Sequence, residues 1–380
     1  MRILIAPDKF KGSLTAAEAA SAIAEGALRV YPDAVVTQFP IADGGEGTLE
    51  AAVAAGYEER INAVVGPILK PVGAAWAFRK DASGGGTAVI ETAQASGLAH
   101  MEPTPENSLR AHSYGCGQLI VAALDAGATE IVLGVGGSAM SDGGSGALRA
   151  LGLKPLDAAG NVVPLGGGSL ADVVSLDVTE LDPRLSAVRF RIAVDVRNPL
   201  FGSNGAAHVF GPQKGADGDA VELLDAGLRN WASLLREVSG EDVNVPGAGA
   251  AGGFPASFLA FAQASLEGGF ALVAGLTGLP GQLDGTDLVI TGEGSMDSQS
   301  LTGKAPIGLA DLARGRGIPV IVVAGRILVT PEELAEHGVV AAAQLLDVAQ
   351  RRDGVPDAAD AVANAAKYLA WATSQVLEGA

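Results

Sequence analysis

Short apolar runs alternate with segments of helical periodicity at both ends of this chain. Arg2 to Ala6 reads as a buried strand. Thr15 with Glu18 forms a capping-box pattern, which predicts a helix from there to about Val30. Ala34 to Phe39 reads as a second strand, and an Ala-rich helix is expected from Thr48 to about Ala55. The same alternation returns late. Asp287 to Thr291 reads as a strand, 307–315 as a helix, Pro319 to Ala324 as a strand, Pro331 to Glu336 as a short helix and Val339 to Leu345 as a strand. A last helix is expected over Ala358 to Leu377. From about Ile61 the texture is less regular. Strand-like pieces occur at Ala74 to Phe78, Thr87 to Thr92, Ile131 to Leu133 and Ile192 to Val194. Helical ones occur from Ser113 to about Ala126, at 219–238 and at 254–265. The pattern predicts an α/β protein of two domains. Residues 1–65 and 285–380 make one discontinuous parallel-sheet domain, and 66–284 form an inserted mixed α/β domain.

Composition narrows the function. With 48% hydrophobic and 18% charged residues in 380, the chain can bury a full core. A formal charge of −18 argues against nucleic acid, and it means that an anionic substrate must be drawn by local cations. Cys116 is the only cysteine, which rules out an intrachain disulfide and fits a reducing cytoplasm. The first apolar run is too short for a signal peptide and meets Pro7, and no run is long enough to span a membrane.

The chemistry-bearing residues gather where strands end, which is where open α/β sheets bind ligands. Lys9, Lys11 and Ser13 follow the first strand and suit a carboxylate or phosphate. Asp43, Gly44, Gly45 and Glu46 follow the second. Gly136, Gly137 and Ser138 form a glycine turn after Ile131 to Leu133, with Asp142 beyond it. Asp195 ends a strand with Asn198 three residues on, and Lys214 closes the loop that follows. After Asp287 to Thr291 come Gly292, Glu293, Gly294, Asp297, Gln299 and Gly303-Lys304. This last stretch fails the P-loop pattern twice, with Ser298 where its first glycine belongs and Ala305 where Ser or Thr belongs. Two dinucleotide-type glycine patterns, at Gly134 to Ala139 and Gly247 to Gly252, are chance matches expected among 53 glycines. The four histidines lack zinc-site spacing, and no serine has a nucleophile-elbow context. Lysines and amides for phosphate, carboxylates for Mg²⁺ and an Asp to accept a hydroxyl proton are what phosphoryl transfer requires.

Eight ordered stretches carry a family resemblance: APDKFKGSLTA, PIADGGEGT, ETAQASGL, SYGCGQLI, GVGGSAMSDGG, DVRNPLFGSNGAAHVFGPQKGA, PGAGAAGG and TGEGSMDSQSLTGKAP. Together they resemble the bacterial class I glycerate kinases. The resemblance implies ATP- and Mg²⁺-dependent phosphorylation of D-glycerate, usually at the 2-hydroxyl, giving 2-phosphoglycerate and ADP. It implies a discontinuous flavodoxin- or Rossmann-like domain, an inserted second domain and an active site in the cleft. On this basis the expected proton acceptor is Asp195, positioned by Asn198, with Asp43 able to exchange roles with it. Lys11 and Ser13 hold the glycerate carboxylate or a phosphate, and substrate contacts extend to Lys9, Asp43, Gly44, Gly45 and Ser138. Nucleotide phosphates fall to Gly136, Gly137, Lys214, Gly292, Gly294, Gln299 and Lys304. Mg²⁺ falls to Glu293 and Asp297, or to Asp43 and Glu46. Partners are then small molecules only, with a homodimer left open. Three positions depart from the family: Lys9 where many relatives have Ser or Ala, Met140 where many have Thr, and Ser295 where a basic residue is common. The rivals are phosphorylation at the 3-hydroxyl, a nucleotide-dependent dehydrogenase of a small hydroxy acid, and a protein that sequesters an organic acid.

Overall fold

The computed structural model describes residues 1–82, 84–353 and 358–379, and the chain divides into two compact units. One comprises Met1–Asp43 with Phe270–Ala380; the other is Gly44–Gly269. The sequence expectation set these limits at 65/66 and 284/285. The units instead divide earlier at both crossings, so the helix Thr48–Ala54 and the strand Glu58–Val65 lie in the second unit.

The first unit is built on five parallel strands in the order Val339–Gln344, Val320–Ala324, Leu288–Thr291, Arg2–Ile5, Val35–Gln38. Ile3 and Ile5 pack on one face with the helices Ala16–Val30 and Ala365–Gly379. Leu4 and Ala6 pack on the other with Ala305–Arg314. This alternation is what a parallel strand covered on both faces requires. The expected capping box is present: Thr15 Oγ1 accepts from the Glu18 amide, and the Glu18 carboxylate accepts from the Thr15 amide. From Arg2–Ile5 the chain winds outward to Val35–Gln38, and from Leu288–Thr291 it winds the opposite way. The topological switch point therefore lies between Arg2–Ile5 and Leu288–Thr291.

The second unit holds a six-stranded mixed sheet: Gln263–Glu267, Arg189–Ala193, Glu130–Gly134 and Gly86–Glu91 are parallel, and Pro71–Lys80 and Glu58–Val65 extend it antiparallel. Its core is built around Leu119, Ile131, Phe190, Trp231 and Phe258. Two helix expectations need correction. The segment 254–265 is a helix only over Pro255–Phe261, and extended Ala262 turns the chain into the strand Gln263–Glu267. The two-residue alternation of Ala264 and Leu266 belongs to that strand. The last helix is two, Ala358–Ala363 and Ala365–Gly379. Between them the Asn364 side-chain amide donates to Asp360, the local competition by which Asn interrupts helices. The helices Gly269–Thr277 and Leu345–Asp353 have no counterpart in the sequence reading.

Candidate active site

The loops at the switch point enclose a cavity of about 460 Å³. Asp8, Lys9, Lys11 and Ser13 reach it from the end of Arg2–Ile5, and Asp43 comes from beyond Val35–Gln38. Glu293, Gly294, Ser295 and Lys304 come from beyond Leu288–Thr291, and Arg326 from beyond Val320–Ala324. Leu345, Leu346, Ala361 and Val362 form an apolar wall. The loops are held by backbone: the Asp8 amide donates to Gly292 O (2.8 Å), the Ile41 amide to Pro7 O (3.0 Å) and the Gly325 amide to Glu293 O (3.0 Å). The glycines here serve close approach. A Cβ on Gly292 would strike the Val323 carbonyl, and one on Gly294 would press on the Lys11 amide at 3.2 Å.

Three carboxylates share this cavity. Burial pushes the Asp8 carboxyl up to about 7, and the charges of Asp43 and Glu293 push the same way. Burial also raises Glu293, against a hydroxyl bond from Ser300 and the charge of Lys304. Glu293 Oε1 is buried without a hydrogen-bond partner. Asp297 is outside the lining. Its Oδ1 accepts from the Gln299 amide (2.9 Å) and the Ser300 amide (3.3 Å), which shapes the turn leading to Lys304. Gln299 is likewise outside the lining.

The remaining candidates lie in the second unit, with Glu46 exposed near its start. Gly44, at φ +85°, has no room for a Cβ against Ala193 (2.5 Å) and Gly269 (2.7 Å), and Gly136 has none against Gly45 (2.8 Å). Gly137 O accepts from the Leu98 amide. Asp195 Oδ1 accepts from the Gly269 amide at 2.8 Å. Asn198 donates to Asn204 O (2.8 Å), and its own carbonyl accepts from the Gly247 and Gly249 amides, so it ties three loop segments together. Lys214 is buried, donates to Met140 O at 2.6 Å and reaches Ser138 Oγ at 3.5 Å. Burial pulls its ammonium down to about 8.

Residues 3–379 match the glycerate kinase family. This chain belongs to that family. It is 46% identical to the glycerate 2-kinase of Escherichia coli K12 over 341 residues, 89% of each chain. It is 43% identical to the glycerate kinase of Bacillus subtilis 168 over 372 residues, 97% of this chain and 95% of that one. A crystal structure from Salmonella typhimurium LT2, of a protein assigned as glycerate kinase 2, superposes with a TM-score of 0.85 at 40% identity, covering 100% of this chain and 98% of that one. The dehydrogenase and sequestration readings fall with this membership. The Gly247–Gly252 pattern fits that outcome: it leads into Ala250–Gly253, whose Ala251 and Gly252 have positive φ, where a dinucleotide fold would begin a regular helix.

Sequence reasoning missed Asp8 and Arg326 in this glycerate kinase. Asp8 sits in a Pro-Asp turn that composition cannot tell from a surface turn. Arg326 is the parallel register partner of Ser295 in a two-residue ladder, and both line the cavity. A cation therefore stands opposite Ser295, the position where the family resemblance leads one to expect a basic residue.

For Mg²⁺ the donor set fits. Asp8, Asp43 and Glu293 offer hard oxygen, and Glu293 Oε1 is buried without a hydrogen-bond partner, which leaves its lone pairs for a cation. Among the described residues no three or more His, Cys, Asp or Glu form a ready cage. Mg²⁺ tolerates this, because it binds through one or two carboxylates plus phosphates and water. Also among the described residues, no helix is long and apolar enough to cross a membrane.

Proposed function

We propose that this chain is a glycerate 2-kinase, which moves the γ-phosphoryl of ATP to the 2-hydroxyl of D-glycerate and releases 2-phosphoglycerate and ADP. The observation that carries this reading is the switch-point cavity, where four cations and three carboxylates meet beside an apolar wall. Lys11 and Ser13 hold the glycerate carboxylate, with Lys9 beside them. Lys304 and Arg326 neutralise phosphate oxygens, and the apolar wall takes the base. Asp8, Asp43 and Glu293 would hold Mg²⁺, which when bound offsets the negative charge shared by the β- and γ-phosphates. Lys214, bonded to Met140 O, positions the Ser138–Met140 loop. Asp195 accepts the proton of the attacking hydroxyl, its orientation fixed by the Gly269 amide. A second reading gives that proton to Asp43, which shares the cavity with Lys11. The buried Cys116 suits the reducing cytoplasm in which we place the enzyme.

Phosphorus NMR of D-glycerate, ATP, Mg²⁺ and the protein, with and without enolase, tests the reaction. ADP plus a product consumed directly by enolase is expected. A 3-phosphoglycerate product would overturn the position, and no ADP would overturn the kinase. The proton acceptor is read by replacement: Asp195→Asn should lower kcat by roughly 10²–10⁴. Near-wild-type kcat in Asp195→Asn, with that loss in Asp43→Asn, would transfer the role to Asp43.

A further inference from the structure

We propose that a cavity within the second unit, bounded by His112, Arg149 and Arg110, binds a small oxyanion, a phosphate or carboxylate group, at a site separate from the chemistry assigned above. The cavity measures about 540 Å³ and is also lined by Ile68, Leu109 and Ser169.

Two groups in its wall lack the partner that an anion would supply. The Arg149 guanidinium is half-buried and donates to Val163 O at 2.9 Å. Among the described residues it has no carboxylate partner. Burial pulls its pKa below the ordinary arginine value, which marks a cation removed from water without a counter-ion. His112 is 1% exposed. Its Nδ1 accepts from the Tyr114 amide at 3.3 Å, so the neutral ring carries its proton on Nε2. That Nε2 is buried with no partner. A buried donor left unmade is destabilising, and an oxyanion held by the guanidinium is the partner that would satisfy it.

The surrounding chain supports the assignment. The His112 amide donates to Pro67 O at 3.1 Å, which anchors the loop joining Glu58–Val65 to Pro71–Lys80. In that loop Leu69 is held at φ 68°, a strained conformation for a leucine and one that collects at ligand sites. Leu69 also lines the cavity. Arg110 is paired with Glu106 at 2.9 Å and adds a second, partly compensated guanidinium at the rim.

The test uses the full chain and two probes, inorganic phosphate and malonate, each against chloride at equal ionic strength. The Lys11→Met background removes one anion contact of the first unit, and comparison with Arg149→Met attributes the remaining response to the second. Thermal unfolding should shift upward by about 3 °C when the probe exceeds its Kd roughly tenfold. The shift should persist in Lys11→Met and vanish in Arg149→Met. Ser169→Asp, which adds a carboxylate to the wall, should abolish it, and it serves if Arg149→Met does not fold. In parallel, the His112 ring nitrogens should shift on titration in ¹⁵N NMR. A phosphate-only or malonate-only response selects the group within the same oxyanion site. No response to either probe, or one that survives in folded Ser169→Asp, would overturn the proposal.

Discussion

Asp8 in the first unit and Asp142 in the second are both buried aspartates in loops that follow a parallel strand, and their carboxylates are treated differently. Asp142 is fully buried and accepts four hydrogen bonds: the Ser113 amide and hydroxyl at 2.8 Å each, and the Gly144 and Gly146 amides at 3.1 Å each. The Ser113 hydroxyl in turn accepts from the Ala147 amide at 2.9 Å. Asp8 accepts the Lys9 amide at 2.7 Å, faces Asp43 and Glu293, and is pushed up to about 7. The first arrangement is a closed network that fixes where chain segments cross. The second is an electrostatic deficit kept open toward a cavity. A buried loop aspartate thus has its hydrogen bonds met in one unit and stands beside a cavity and two further carboxylates in the other, and satisfaction of the carboxylate tells them apart.

The contrast breaks most sharply at Lys11. If the switch-point cavity carries the chemistry, Lys11→Met should cut kcat/KM for glycerate by about 10³, some 4 kcal/mol of transition-state stabilisation, with Tm within about 2 °C of wild type. Steady-state kinetics beside a melting curve would check both, and activity within tenfold of wild type would end the assignment.

Asp142 should behave in the opposite way. Asp142→Ala orphans several buried donors at once and should cost about 3 kcal/mol, visible in urea as a lower midpoint. The folded fraction should keep most of its kcat. A catalytic collapse at unchanged stability would mean that this network touches the reaction.

These opposed fates also explain what the sequence could reveal. Strand ends were legible because Val/Ile runs such as Leu288–Thr291 stop abruptly at glycine, and the loops that follow carried Lys11, Asp43, Glu293 and Lys304 into one cavity. The role of glycine was not legible. Gly292 and Gly136 read as phosphate contacts and Gly44 as a substrate contact, yet each also stands where another backbone segment leaves no room for a Cβ, a tertiary fact with no local signal. Hydrogen-bond satisfaction was equally hidden. Asp142 sits among glycines and serines and Asp8 in a Pro-Asp-Lys turn, and only the fold brings Ser113 to one and Asp43 to the other. Arg326 escaped notice because its relation to Ser295 depends on a register between segments about thirty residues apart.

Asp8 predicts an unusual trade between stability and activity. Its folded pKa of about 7 lies above the ordinary 3.8, so its contribution is fully present below pH 3.8 and is lost as pH rises through about 7. The ceiling is ~4 kcal/mol for that difference. Asp8→Asn should therefore stabilise the metal-free protein at pH 8, by about 1–2 kcal/mol once relaxation is allowed, and leave it unchanged near pH 4. Mg²⁺ should shrink the advantage by stabilising the wild type more than the variant, which keeps only Asp43 and Glu293. A variant less stable than wild type at pH 8 without metal would show that Asp8 is satisfied like Asp142.

The smallest expected effect concerns the cation opposite Ser295. Both residues line the switch-point cavity and pair in register, so a positive side chain from either strand can reach the same phosphate-facing wall. Arg326→Ala should raise KM for ATP about tenfold, ~1.4 kcal/mol, and change kcat little, because an exposed guanidinium at the rim binds ground state and transition state alike. Ser295→Arg in that background should restore KM, since the charge returns from the neighbouring strand. The order of effects carries the reasoning: Arg326→Ala alone tests whether the cation matters, and the double variant tests whether its position in the ladder does. A KM that stays high in the double variant would separate Arg326 from Ser295. It would leave Lys304 as the phosphate cation that the loop after Leu288–Thr291 supplies to this wall.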